Sequence, residues 1–211
     1  MRKTSIEGSY GFRPGRSCQD ALRALSQAVE WEGTNYIAEA DIKGFFDNVD
    51  HEWLMKMLEQ RIADKRVLRL IKRFLKSGVM ESGEVRASEE GVPQGGSISP
   101  VLANVYLHYA LDLWFEKVYR KSCKGKTRLI RYADDFVVCF VSKEDAMKFK
   151  AELSERLKKF GLEVEPTKTK VLEFGRDAER HARTRGVKPE TFDFLDLLII
   201  AAGRKTGDNS G

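Results

Sequence analysis

Apolar residues recur along this chain at two periods, and the switches between them predict its elements. Over 19–31, Ala21, Leu22, Leu25, Ala28 and Val29 fall at helical spacing, and Gly33 follows as a stop. The run YIAEADI, 36–42, predicts a strand closed by Lys43 and Gly44. Helical spacing returns over 52–76, first through Leu54, Met57, Leu58 and Ile62, then through Val67, Leu68, Ile71, Phe74 and Leu75. A further helix is predicted over 100–119, from Val101 and Leu102 to Trp114 and Val118. Two strands rich in aromatic and β-branched residues follow at 128–133 and 136–140. Ala146, Phe149, Leu153, Leu157 and Phe160 then mark the clearest helix, ended by Gly161, and LEVEP and TKVLEF read as short strands.

Strand, helices, hairpin, helix and strands in that order predict an α+β fold, an antiparallel sheet packed by helices on one face. The other sheet face is then expected to stay free for a ligand. The 211 residues, 42% of them hydrophobic, suffice for a real core. Lys and Arg outnumber Asp and Glu by 37 to 32, a formal charge of +5 and a mild bias toward polyanions. Lys65, Arg69, Lys72, Arg73 and Lys76 form a basic stripe, for which a solvated helix face is the plainer reading and a nucleic-acid contact the other. Cys18, Cys123 and Cys139 are widely spaced and only three histidines are present, so neither a disulfide framework nor a zinc cage is expected. MRKTSIEGSYGF lacks the apolar core of a signal peptide, and no apolar run approaches a membrane span, so a cytoplasmic setting is expected.

Against this background Asp134 and Asp135, side by side between two apolar runs, pose a physical question. Adjacent carboxylates repel and resist burial, so they need water or a cation. A solvated turn is the bland answer. A second acidic position, Asp41, ends the 36–42 strand; if that strand lies beside the hairpin, three carboxylates meet at one sheet edge. Such hard oxygen donors suit two Mg²⁺ ions, which leave positions for substrate phosphates. A third feature, Pro93, Gln94, Gly95 and Gly96, forms a loop before a helix begun by Ser99 and Pro100, where glycines allow close backbone approach and free N–H groups face anions.

Together these features resemble the reverse transcriptase domain of group II intron-encoded proteins. SYGFRPGRSCQDAL, ADIKGFFDNVDHEWL, GVPQGGSISPVLANVYLHYALD, RYADDFVV, GLEVEPTKTKV and FDFL match successive motifs of that family in order, over roughly 9–195. The resemblance implies RNA-directed DNA polymerase chemistry: dNTPs added to a primer 3′-hydroxyl on an RNA template, with two Mg²⁺ ions, or Mn²⁺ as a substitute. Asp41, Asp134 and Asp135 match the metal-binding catalytic triad, with Ile42 lending a backbone carbonyl to one metal. Phe45 and Phe46 match the nucleotide-binding aromatics, Phe46 being the ring beneath the incoming sugar that clashes with a 2′-hydroxyl. Pro93, Gln94 and Gly95 match the nucleotide-contacting loop. Lys168 matches a lysine near the triphosphate, where a surface lysine beginning a strand is the competing reading. Tyr132 would lie near the primer terminus, and Phe192 and Leu195 match the primer-grip turn. Arg13 and Arg16, in GFRPGRS, match a fingers–palm segment for which template binding and internal packing are both open.

The resemblance also implies boundaries: partial fingers over 1–35, a palm over 36–195 with an inserted helical segment at about 52–90, and a flexible divergent tail over 196–211. Asp196 departs from the family pattern, standing where a turn glycine is usual. Fingers sequence before SYGF and a thumb after the tail are missing from the pattern, so the chain is expected to be truncated at both ends. Group II intron RNA is the expected partner. Self-association through an exposed palm edge and the apolar LDLLIIAA run is expected to be favoured. Two other classes compete. One is an RNA-binding or assembly module without catalysis; the other is a nucleotide cyclase on a similar sheet, against which the absence of a G-G-[DE]-E-F hairpin weighs.

Overall fold

The computed structural model describes residues 7–76, 80–81, 84–85, 91–92, 98–186, 190–195 and 197–200. Ser17 starts the first helix, α1 (Cys18–Trp31), through a capping box: the Asp20 N–H donates to Ser17 Oγ at 3.2 Å, and the Ser17 N–H returns a bond to Asp20 at 2.9 Å. Strand β1 (Tyr36–Ala40) follows. The helical spacing expected over 52–76 forms two helices, α2 (His51–Glu59) and α3 (Lys65–Lys76). The cause is local: Asp64 accepts from the Arg66 N–H at 2.8 Å and begins a new helix, which an apolar stripe alone does not reveal.

Beyond α3 come the short strands β2 (Met80–Glu81) and β3 (Glu84–Val85), then α4 (Ser99–Leu107) with proline in its first turn. The helix expected to run to 119 loosens after Leu107 into two π-helical stretches, His108–Asp112 and Phe115–Tyr119, before the short α5 (Arg120–Ser122). The hairpin β4 (Thr127–Tyr132) and β5 (Asp135–Phe140), the Ser142-capped α6 (Lys143–Lys158) and β6 (Lys170–Glu173) follow. Helix α7 (Arg176–Arg185) and a second hairpin, β7 (Thr191–Phe194) with β8 (Leu197–Ile200), complete the chain. Of LEVEP, only Val164 bridges to Ile42, so no ladder forms there.

The main sheet runs β4-β5-β1-β6, every pair antiparallel. Its period-two alternation feeds two cores. Ala38, Ala40, Leu129, Phe136 and Val138 pack against α2, α4 and α6, whereas Ile37, Ile130, Val137, Cys139 and Leu172 pack against α1, Phe192 and Phe194. The α+β sheet with helices against one face is therefore present, but the expectation of a free opposite face is corrected. Apolar residues on that face need cover, and α1 and β7 supply it. The β4 edge is covered too: the Arg131 N–H donates to the Gly8 carbonyl, and the Tyr10 N–H to the Arg131 carbonyl, both at 2.8 Å. The β4 edge is thereby paired, and residues 197–200 pair with β7.

Candidate active site

Register brings the acidic residues together. Ala40 pairs with Phe136, so one step further the ends of β1 and β5 set Asp41 opposite Asp135. Asp134 sits in the two-residue turn between Tyr132 and its partner Asp135. All three carboxylates line one open cleft of about 1040 Å³, with Phe46, Tyr132, Lys168 and Leu195 also on its wall. The turn that presents them is strained, because Ala133 has a φ of 57°, in the left-handed region that L residues avoid.

Crowding of like charge in a partly desolvated cleft is visible in the proton affinities. Burial first, then the Asp134, Glu39 and Asp41 charges, push the Asp135 carboxyl up to about 6 against the opposing pull of the Leu195 N–H. Burial and the Asp41 charge likewise raise Asp134. Asp41 is answered by a cation: Lys168 Nζ donates to its Oδ2 at 2.8 Å. That bond, followed by the Asp41 charge, holds the Lys168 ammonium above its ordinary value. Among the described residues no three His, Cys, Asp or Glu side chains are assembled as a metal cage. The donor chemistry nonetheless suits a hard divalent ion, for three carboxylate groups face one cleft and an ammonium already stands on one of them as a cationic partner.

The other expected residues divide by placement. Phe46 is half-buried and reaches the cleft wall, with Phe45 edge-on behind it at 5.2 Å between ring centres. Phe45 itself is turned into the core against Tyr106, which corrects its expected place on the nucleotide side. Phe192 is likewise corrected: it is fully buried beside Phe174, so its ring cannot meet nucleic acid. Leu195 reaches the site through its backbone, its N–H donating to Asp135 Oδ2 at 2.6 Å from a residue with φ 59°. The bonds flanking the Ile42–Val164 bridge use the Asp41 carbonyl and the Lys43 N–H, leaving the Ile42 carbonyl out of that pairing. Pro93, Gln94 and Gly95 lie outside the described residues, as does Asp196.

Arg16 is engaged internally: it donates to the Glu7 and Ser9 carbonyls at 2.6 and 2.7 Å and lies over the Tyr10 ring, which favours packing over template contact. Arg13 bonds Ser9 Oγ at 3.4 Å and lines a small neighbouring cavity with Arg61 and His108.

One group went unread in the sequence. Arg131, fully buried in β4, meets Asp112 bidentately at 2.8 and 2.6 Å, Asn104 Oδ1 at 2.9 Å, Ser9 Oγ at 3.0 Å and the Ala133 carbonyl at 2.6 Å. Burial pushes the Asp112 carboxyl upward, but the charge and hydrogen bonds of Arg131 outweigh it and leave the group below its ordinary value. The available signal was a charge inside an otherwise apolar strand, RLIRY, matched by another in the helical run YALD.

Known proteins resemble this chain in sequence and in fold. Residues 3–198 match the family described as reverse transcriptase (RNA-dependent DNA polymerase). The group II intron-encoded protein LtrA of Lactococcus lactis subsp. cremoris is 45% identical over 100 residues, covering 47% of this chain and 16% of that protein. A 91 kDa protein in the cob intron of Schizosaccharomyces pombe is 30% identical over 215 residues, covering 77% of this chain and 26% of the other. Among solved structures, apo telomerase from Candida tropicalis, truncated from its C-terminal domain, aligns with a TM-score of 0.66 at 17% identity over 92% of this chain and 39% of that one, a likeness of fold. The chain thus spans only about a sixth to a quarter of the curated relatives' lengths, 16% and 26%. With its motifs in order on a matching sheet, it belongs to the reverse transcriptase family, as a domain of the group II intron type.

Proposed function

We propose that this chain carries RNA-directed DNA polymerase chemistry, adding dNTPs to a primer 3′-hydroxyl on an RNA template. The observation that supports it most is the convergence of Asp41, Asp134 and Asp135 from separate strand ends on one cleft. Asp41, Asp134 and Asp135, with the Ile42 carbonyl, would hold two Mg²⁺ ions, and Mn²⁺ would substitute. When bound, such ions supply Lewis-acid charge that favours ionisation of the attacking hydroxyl and steadies the leaving pyrophosphate.

The chain's own residues supply the rest. Phe46 presents a ring at the cleft wall where a ribose 2′-hydroxyl would collide, which selects dNTPs. Lys168, 68% exposed, can leave Asp41 for a triphosphate, where its charge stabilises the leaving group and its proton is available to it. Tyr132 and the Leu195 backbone face the primer side of the cleft, and the resemblance assigns nucleotide contact to Pro93, Gln94 and Gly95. In this reading 1–35 are partial fingers and the fingers–palm junction, 36–195 the palm with an inserted helical segment at about 52–90, and group II intron RNA is the partner. Among the described residues no helix is long and apolar enough to cross a membrane, and a cytoplasmic setting is proposed.

The test is primer extension on an RNA template with dNTPs and Mg²⁺. Asp134→Asn is expected to lower the rate by at least ~10²-fold, the effect of deleting one preorganised electrostatic group. A folded Asp134→Asn variant extending at the wild-type rate refutes the reading, and RNA binding without extension by either form favours a binding module.

A further inference from the structure

Four separated stretches of sequence meet at the Arg131 guanidinium. Ser9 comes from the segment paired to the β4 edge, Asn104 from α4 and Asp112 from the end of the first π-helical stretch, while Ala133 belongs to the hairpin turn itself. All five guanidinium bonds are satisfied inside the protein, and neither Arg131 nor Asp112 reaches solvent, their side chains being 0% and 1% exposed. Asn104 extends the network: while its Oδ1 accepts from Arg131, its Nδ2 donates to the Gly11 carbonyl at 2.8 Å. Gly11 in turn lies so close to the turn that a Cβ there would stand 2.3 Å from the Ala133 nitrogen.

Replacing such a buried ion pair with apolar residues of similar volume is often neutral or stabilising, so stability alone does not explain its presence. A strained backbone, by contrast, persists only where its surroundings over-determine it. Ala133 is the strained residue, its carbonyl is the one Arg131 grips, and the next two residues are the cleft aspartates.

We propose that Arg131 is a positioning residue for the reaction: by pinning the Ala133 carbonyl from inside the core, and the Ser9–Gly11 segment behind it, it fixes the direction in which Asp134 and Asp135 enter the cleft. Asp112 and Asn104 hold the guanidinium in the plane that this bond requires. The inference rests on the polymerase reading of the cleft, and two readouts separate their failures.

Arg131→Lys keeps the charge beside Asp112 but replaces the planar fork with a single ammonium that cannot serve Asp112 and the Ala133 carbonyl in the same geometry. Measured on the whole chain, amide hydrogen exchange is expected to quicken about tenfold at residues 132–135 while the rest of β4, β5 and β1 keeps its protection. The dissociation constant for Mn²⁺ alone should rise several-fold, and extension kcat should fall by ~10²-fold with little change in KM for dNTP. Should Arg131→Lys not fold, the pair Arg131→Met with Asp112→Leu removes both charges together, and the same local loosening is expected. Unchanged exchange at the turn overturns the proposal, and so does a uniform loss of protection across the sheet, which a purely structural role predicts. If the wild-type chain neither binds Mn²⁺ nor extends a primer, the polymerase reading fails, while exchange at 132–135 still decides what Arg131 does.

Discussion

Asp41, Asp134 and Asp135 share one cleft, yet each settles its charge differently. Asp41 takes an ammonium from Lys168, Asp135 takes the Leu195 N–H, and both members of the Asp pair hold their protons more tightly than a free carboxyl does. For Asp135, with a native value of about 6 against an ordinary 3.8, the consequence for stability has a definite sign. Between pH 4 and 6 the native chain binds more protons at this site than the unfolded chain, so stability falls as pH rises through that window. After discounting for partial exposure, the loss is on the order of 1 kcal/mol. Urea unfolding in the presence of a chelator should show a declining midpoint from pH 4 to 6, and Asp135→Asn should flatten that part of the profile. A midpoint that rises in the wild type and is unaffected by the substitution contradicts this crowding of carboxylates. The identity of these residues was legible in Y-A-D-D and A-D-I-K. The ion pair with Lys168 and the inward turn of Phe45 were not, because adjacent aromatics in one motif carry no mark of which ring faces the core.

Elements were legible where one period holds without interruption. The β4–β5 hairpin emerges within a residue of its expected ends, and the α6 stripe within three. Detail within helices was not legible where a single polar residue starts a new helix, as Asp64 does before α3, or where the helical repeat widens, as after Leu107. Helix α7 was not anticipated, since RDAERHARTR offers little apolar periodicity to read. Helix α6 carries a sharp energetic consequence. Leu153 is fully buried in the core beneath the sheet, together with Phe149 and Leu157. Leu153→Ala should therefore cost about 2–5 kcal/mol in chemical denaturation, the range for truncating a core leucine. A loss below ~1 kcal/mol would mean that this face of the sheet is not packed as described.

At the scale of the whole molecule, the one-sided sheet expected from the element order proves to be a sheet between two cores, and the ligand face becomes a cleft at the strand ends. Element order cannot distinguish these arrangements, because α1 precedes the sheet in sequence and Phe192 follows it, yet both close the same face. With the faces covered, the surface outside the cleft also bears on contact with a long polyanion, and its charge is uneven. Lys65, Arg69, Lys72, Arg73 and Lys76 are all exposed along α3, and among the described residues no carboxylate pairs with any of them. On a chain of net charge +5, that stripe is a concentrated patch of cationic surface. Each phosphate it neutralises releases counterions, contributing about 0.7 to 0.9 to the slope of log affinity against log salt. Replacing Arg69, Lys72 and Arg73 with alanine should then reduce the slope for a structured RNA by about 2 to 3 and weaken binding to unrelated RNA sequences equally, as measured by titration between 50 and 200 mM salt. An unchanged slope would make α3 a solvated face. Loss for one RNA sequence alone would mean that these residues read bases, which a row of flexible side chains on one helix face is poorly built to do.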